Sequence, residues 1–146
     1  MSKELTIYLA GAMSGLTIEE MNMWRNKVNQ NLRRVAAMAD VKVNVINPVM
    51  YFNFDNNRHQ TEMEVMKFDL SKVTSSDIVI VNMDKLNTSI GTCIECYESW
   101  KKGIPVLAFG SDYLWDNLHP WIQNCITRHD VNYIDTVNYI NDLYMH

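Results

Sequence analysis

The chain has 146 residues, 47% of them apolar, which fits one compact domain over residues 1–146 able to bury most of its apolar surface on folding. Its formal charge of −4, with no basic cluster denser than Arg33-Arg34 or Lys101-Lys102, provides no field for a nucleic-acid polymer, although backbone N–H groups can still hold a small phosphate. The longest strongly apolar run, Ile78-Val79-Ile80-Val81, is far short of a membrane span, and the opening Ser2-Lys3-Glu4 is unlike a signal peptide, so a soluble cytoplasmic protein without membrane partners is expected.

Leu5-Thr6-Ile7-Tyr8-Leu9-Ala10 is an apolar run stopped by Gly11, and Thr17-Ile18-Glu19-Glu20 has the spacing of a helix capping box. The reading is strand, glycine-containing loop, helix. Met21, Trp24, Val28, Leu32 and Val35 then recur at three- and four-residue spacing, giving a long helix one core stripe. Val41, Val43 and Val45 alternate with polar residues until Asn47-Pro48 ends the strand, and the polar stretch 52–61 reads as a surface loop. Met63, Met66, Leu70 and Val73 mark a second helix. The near-continuous β-branched run from Asp77 to Met83 suits a parallel strand covered on both faces.

After a loop over 84–90, a helix from about Gly91 to Lys102 is expected to end at Gly103, with the next strand over 104–109. A helix around 115–126, a short strand at 131–133 and an amphipathic C-terminal helix carrying Val137, Ile140 and Leu143 complete the pattern. Such alternation implies an α/β fold with a doubly wound parallel sheet, in which ligands bind at the carboxyl ends of the strands. Three neighbourhoods meet there: 8–15, 84–95 and the chain from Gly110 onward.

Within the first, Gly11-Ala12-Met13-Ser14-Gly15 leads into a helix, so its N–H groups can face a phosphate or a sugar oxygen. It matches neither the G-x-G-x-x-G fingerprint nor a Walker A loop, and a simple tight turn explains it equally well. In the second, Ser89-Ile90-Gly91-Thr92-Cys93-Ile94-Glu95 sets Glu95 in the first turns of a helix, where the dipole favours an ionised carboxylate. Helix stability alone accounts for such an acid as readily as chemistry does. Asp69 shares a helix face with Met66 and Val73, which should point inward; a carboxylate there needs a partner or a task, and a bond to a neighbouring loop satisfies that demand.

Cys93 and Cys96 form a C-x-x-C, a spacing found in thiol redox proteins, but the central pair is Ile94-Glu95 and no aromatic residue precedes it. Two small packed helix residues are the better reading, and the odd count of three cysteines gives no disulfide framework. His59, His119, His129 and His146 are scattered and there is no second cysteine pair, so no metal site is expected. Trp100, Trp115 and Trp121 read as core before they read as base-stacking residues.

In order, Ile7-Tyr8-Leu9-Ala10-Gly11-Ala12-Met13-Ser14-Gly15, Asp69, Asp77-Ile78-Val79 and Ser89-Ile90-Gly91-Thr92-Cys93-Ile94-Glu95 resemble the nucleoside 2-deoxyribosyltransferase superfamily, which includes nucleoside 5′-monophosphate N-glycosidases. The resemblance spans about residues 6–109 and thins beyond Gly110. It implies a flavodoxin-like, five-stranded, three-layer domain, assembled as a homodimer or higher homo-oligomer whose pockets are shared between subunits. It implies no cofactor. By this similarity Glu95 matches the nucleophile that attacks C1′ of the sugar, Tyr8 the residue that positions it, and Asp69 an acid near the leaving base. Asn117, beside His119, matches a residue lent to the adjoining subunit. The implied chemistry is retaining glycoside cleavage through a glycosyl-glutamate intermediate, with a nucleoside or nucleotide as substrate. Many transferases of this superfamily carry an aspartate where this chain has Ser89. A carboxylate there repels a 5′-phosphate, whereas a hydroxyl donates to it. Ser89, Gly91, Ser14 and the 11–15 loop therefore point to a monophosphate N-glycosidase, with base exchange between deoxynucleosides and a non-catalytic nucleotide-binding module as alternatives.

Overall fold

The computed structural model describes residues 3–51 and 58–146. Five strands, β1 (Glu4–Ala10), β2 (Lys42–Ile46), β3 (Ile78–Asn82), β4 (Val106–Phe109) and β5 (Arg128–Asp130), form one all-parallel sheet in the order β2-β1-β3-β4-β5. The helices between them are α1 (Ile18–Met38), α2 (Glu62–Thr74), α3 (Ile90–Lys102), α4 (Asp112–Asp116) and α5 (Pro120–Gln123), and α6 (Tyr133–Tyr144) closes the chain. This is the flavodoxin-like, three-layer arrangement, and its crevice lies where the strand order reverses, beside β1 and β3.

Alternation along β1 decides which side chains meet which layer. Leu5, Ile7 and Leu9 join Val28, Leu32 and Val35 of α1 and Val137 and Ile140 of α6 in one core. Tyr8 and Ala10 point the other way, into a second core with Val73 of α2 and Cys96 of α3. The face that carries Tyr8 is therefore the face covered by α2 and α3. Full burial of Val28 and Leu32 stabilises the α1 docking by about 1.5–3 kcal/mol each.

Local signals set the helix starts. Thr17 and Glu20 make the capping box at α1, bonding each other's backbone N–H at 3.1 Å in both directions. Thr61 and Glu64 make a second box at α2, which ends the 52–61 stretch; residues 52–57 of that stretch lie outside the described residues.

Three expectations need correction. The helix expected over 115–126 is two short ones, because His119 precedes Pro120 and takes an extended ψ of 134°. The strand expected at 131–133 lies at Arg128–Asp130 instead, since the Asn132 side chain accepts from Asp135 N at 3.0 Å and starts α6 at Tyr133. The apolar stripes of α2 and α6 are only partly core: Met63, Met66 and Leu143 are exposed. Among the described residues no helix is long and apolar enough to cross a membrane.

Candidate active site

A cavity of about 440 Å³ opens at the carboxyl edge of β1, between α2 and the start of α3. Tyr8, Gly11, Met13, Ser14, Asp69, Ser89, Gly91 and Glu95 all line it, so the 8–15 and 84–95 neighbourhoods converge as expected, whereas the third wall comes from α2 and not from the chain beyond Gly110. Ala12 and Gly15 belong to the same loop but lie off the wall. Glu62, one helical face along from Asp69, lines the cavity too and was missed. Its spacing of seven residues from Asp69 was the available signal, since i and i+7 share a helix face.

Glu95 is the centre of this arrangement. The buried Tyr8 hydroxyl donates to its Oε2 at 2.5 Å, and the Ser99 hydroxyl donates to its backbone carbonyl at 2.7 Å. It is the sixth residue of α3, past the first turn where a helix dipole acts, so the expected dipole stabilisation of its charge is displaced by other forces. Burial pushes the Glu95 carboxyl up to about 7; the Tyr8 hydrogen bond opposes this, the Asp69 charge adds to it, and Arg25 opposes it. Burial likewise raises Asp69 to about 6, with His59 pulling the other way. Burial raises the Tyr8 phenol far beyond its ordinary range, with Glu95 reinforcing the effect, so it stays a hydrogen-bond donor.

The opposite wall is rich in neutral donors. Ser89 stands at the N-terminus of α3 without a side-chain capping bond, its hydroxyl instead 2.6 Å from that of Thr92. The first N–H groups of a helix have no intrahelical acceptor, and Ile90, Gly91 and Thr92 line the cavity at that end. The 11–15 loop is shaped by two glycines. A Cβ on Gly11 would stand 2.7 Å from Cζ2 of Trp24, and Gly15 has φ +78°, in the left-handed region.

Asn117 and His119 do not reach the cavity within one chain. Asn117 donates to Tyr113 O at 2.8 Å and its carbonyl accepts from Asn87 Nδ2, while His119 N donates to Asn87 Oδ1 at 2.9 Å. Both are exposed, and their partner Asn87 lines a second, apolar hollow of about 660 Å³ that shares Ile90 and Ile94 with the first. Trp100 and Trp121 line this hollow and are exposed by 53% and 80%, against the expectation that they are core. Trp115 stacks on His129 with ring centroids 3.7 Å apart.

The C-x-x-C lies along one side of α3, with Cys93 half-buried and Cys96 buried. Cys93, Cys96 and Cys125 are free, and burial raises all three thiols, which disfavours the reactive thiolate. Among the described residues no group of three or more His, Cys, Asp or Glu side chains is arranged to hold a metal ion.

No protein-family model and no curated protein matches the chain. Solved structures do. A conserved protein from Enterococcus faecalis V583 superposes with TM-score 0.76 at 15% identity, covering 95% of this chain and 98% of that one. A 2-deoxyribosyltransferase from Bacillus psychrosaccharolyticus matches with TM-score 0.66 at 22% identity, over 92% of this chain and 91% of its own. The chain shares the fold of that structure. A CMP N-glycosidase from Clostridium botulinum shares the fold more loosely, with TM-score 0.52 at 15% identity over 95% of this chain and 99% of its own. At these identities the likeness carries the architecture alone.

Proposed function

We propose that this chain is an N-glycosidase of the nucleoside 2-deoxyribosyltransferase superfamily, acting on (deoxy)nucleoside 5′-monophosphates. The observation that carries this reading is the Tyr8–Glu95 hydrogen bond at 2.5 Å on the wall of an open cavity that Asp69 also lines. The ionised Glu95 carboxylate attacks C1′ as the C1′–N bond breaks, and the proton of Asp69 goes to the departing base. Water then attacks C1′ of the glycosyl-glutamate as the C1′–O bond to Glu95 breaks, giving its proton to the Asp69 carboxylate and releasing (deoxy)ribose 5-phosphate and the Glu95 carboxylate. The hydroxyls of Ser14 and Ser89, with the N–H groups at the α3 N-terminus, supply neutral donors for the 5′-phosphate.

One observation favours the transferase alternative, in which a second base replaces water. The described lining holds three carboxylates, Glu62, Asp69 and Glu95, and no Lys, Arg or His side chain, a field better suited to an uncharged nucleoside. Incubation with dCMP, dGMP and free nucleosides, with and without a second base, followed by chromatography of the products, separates the readings. Base release from monophosphates alone supports the first; base exchange between nucleosides supports the second. No release, with Glu95→Ala binding as well as the parent, leaves a non-catalytic nucleotide-binding module.

We further propose that two or more copies assemble through the apolar hollow beside the cavity, so that Asn117 or His119 of one chain reaches the pocket of another. The exposed Ile90, Tyr97, Trp100 and Trp121 form a contiguous apolar rim suited to burial against a second copy.

A further inference from the structure

Arg25 is the largest fully buried side chain among the described residues, at 0% exposure. Its Nε donates to Leu9 O at 3.3 Å, its Nη2 to Gly11 O at 3.1 Å and its Nη1 to Met21 O at 2.7 Å, while its guanidinium lies 4.5 Å from the centre of the Trp24 ring. Among the described residues it forms no salt bridge. Burial lowers it to about 10, so it remains charged at neutral pH. A buried cation surrounded by neutral carbonyls is costly, and an apolar side chain of similar volume would fill the same space without that cost.

Its location supplies a reason. The β1–β2 pairing stops at Tyr8 and Ile46, whereas β1–β3 continues to Ala10, so the end of β1 has a strand neighbour on one side alone. Arg25 bonds the carbonyls of Leu9 and Gly11, two residues apart, as a missing strand would. With the Gly11 carbonyl turned to the guanidinium, the trans peptide directs the Ala12 N–H away from it.

We propose that Arg25 is a positioning residue for Glu95: its planar fork fixes the end of β1 that carries Tyr8 and opens into the Gly11 loop, and its unpaired charge favours the ionised carboxylate. This rests on the reaction proposed above, because it concerns the same glutamate. The charged and titratable groups that act on that carboxylate are Tyr8 from β1, Asp69 from α2, Arg25 from α1 and, along its own helix, Cys96. Arg25 is the one cation in this set.

The test reads the carboxylate rather than base release. Protein labelled with ¹³C at the glutamate carboxyl is titrated by NMR, with Glu95→Gln assigning the resonance. Arg25→Met is expected to raise the Glu95 midpoint by about one pH unit, and Arg25→Lys, which keeps the charge, to leave it within about 0.3. An unmoved midpoint in a folded Arg25→Met protein overturns the proposal. Should that variant fail to fold by circular dichroism, Arg25→Lys decides: a midpoint near the parent's supports the role of the charge, and a rise of about one pH unit overturns it. Failure of the two readings is distinguishable, since a midpoint that moves in a protein with no base release sinks the reaction and keeps Arg25, while base release with an unmoved midpoint does the reverse.

Discussion

Two of the three carboxyl groups on this cavity are raised by burial, Glu95 to about 7 and Asp69 to about 6, so between those values the pair holds one proton. Those values leave the proton mainly on Glu95, and the proposed reaction, which needs it on Asp69 and the charge on Glu95, runs through the minor tautomer of the pair. Activity should therefore follow a narrow bell between about 6 and about 7. Asp69→Asn removes both the acid and a negative neighbour of Glu95. In a rate profile the alkaline limb should vanish, the remaining Glu95 limb should fall below about 7, and kcat should drop by about 10²-fold. A retained alkaline limb would show that another group donates the proton. Glu95 also weighs on stability. Its folded value of about 7 exceeds the ordinary 4.5, so the stability present below about 4.5 is lost as pH rises through 7. Glu95→Gln carries no such penalty: base release should disappear, yet the variant should melt several degrees above the parent at pH 8 and level with it near pH 4.5, corresponding to roughly 3 kcal/mol. Calorimetry at the two pH values checks this, and equal melting at pH 8 would contradict the cost assigned to the buried charge.

At the scale of elements, legibility followed the locality of the signal. The capping box Thr17–Glu20 and the β-branched run of β3 are written in adjacent residues, and both elements formed where the pattern put them. The 128–130 strand was missed because Arg-His-Asp has no apolar pattern; it exists because β4 offers a free edge, a tertiary cause. The Met66 position fooled the core reading because a cavity wall and a core wall ask for the same apolar face. The α3 N-terminus departs from what local stability favours. Ser89 leaves the helix without a side-chain cap, although Asp or Asn there would satisfy a backbone N–H. Ser89→Asp should accordingly stabilise the protein by ~1 kcal/mol while raising KM for a 5′-monophosphate about tenfold or more and sparing the free nucleoside. Parallel melting curves and KM values for dCMP and deoxycytidine provide the measurement; equal effects on the two substrates would remove the phosphate from this end of the cavity.

For the whole molecule, the strand order and the place of Asp69 followed from the family resemblance, while the parallel layering and the meeting of Tyr8 with Glu95 were legible because a doubly wound sheet gathers its strand ends into one crevice. What surrounds the crevice was not, since the sequence pattern does not say whether an apolar helix face meets its own chain or another. Trp100 and Trp121 make the point: both fit helical apolar positions, and both stand exposed around the hollow beside the cavity. Asn87 ties the 117–119 turn to the edge of that hollow, so a copy docked there meets Asn117 and His119 already fixed in place. If assembly completes the pocket, Trp100→Glu and Trp121→Glu, which add charge at the centre of the contact, should yield monomers by sedimentation velocity. Their kcat/KM should fall with dissociation, about 10-fold or more, although neither residue lines the Glu95 cavity. Mixing Trp121→Glu with excess Glu95→Gln protein then separates the causes. Recovered base release in the mixture means that the inactive copy lends its turn to the competent nucleophile, whereas monomers as active as the parent would make each chain sufficient alone.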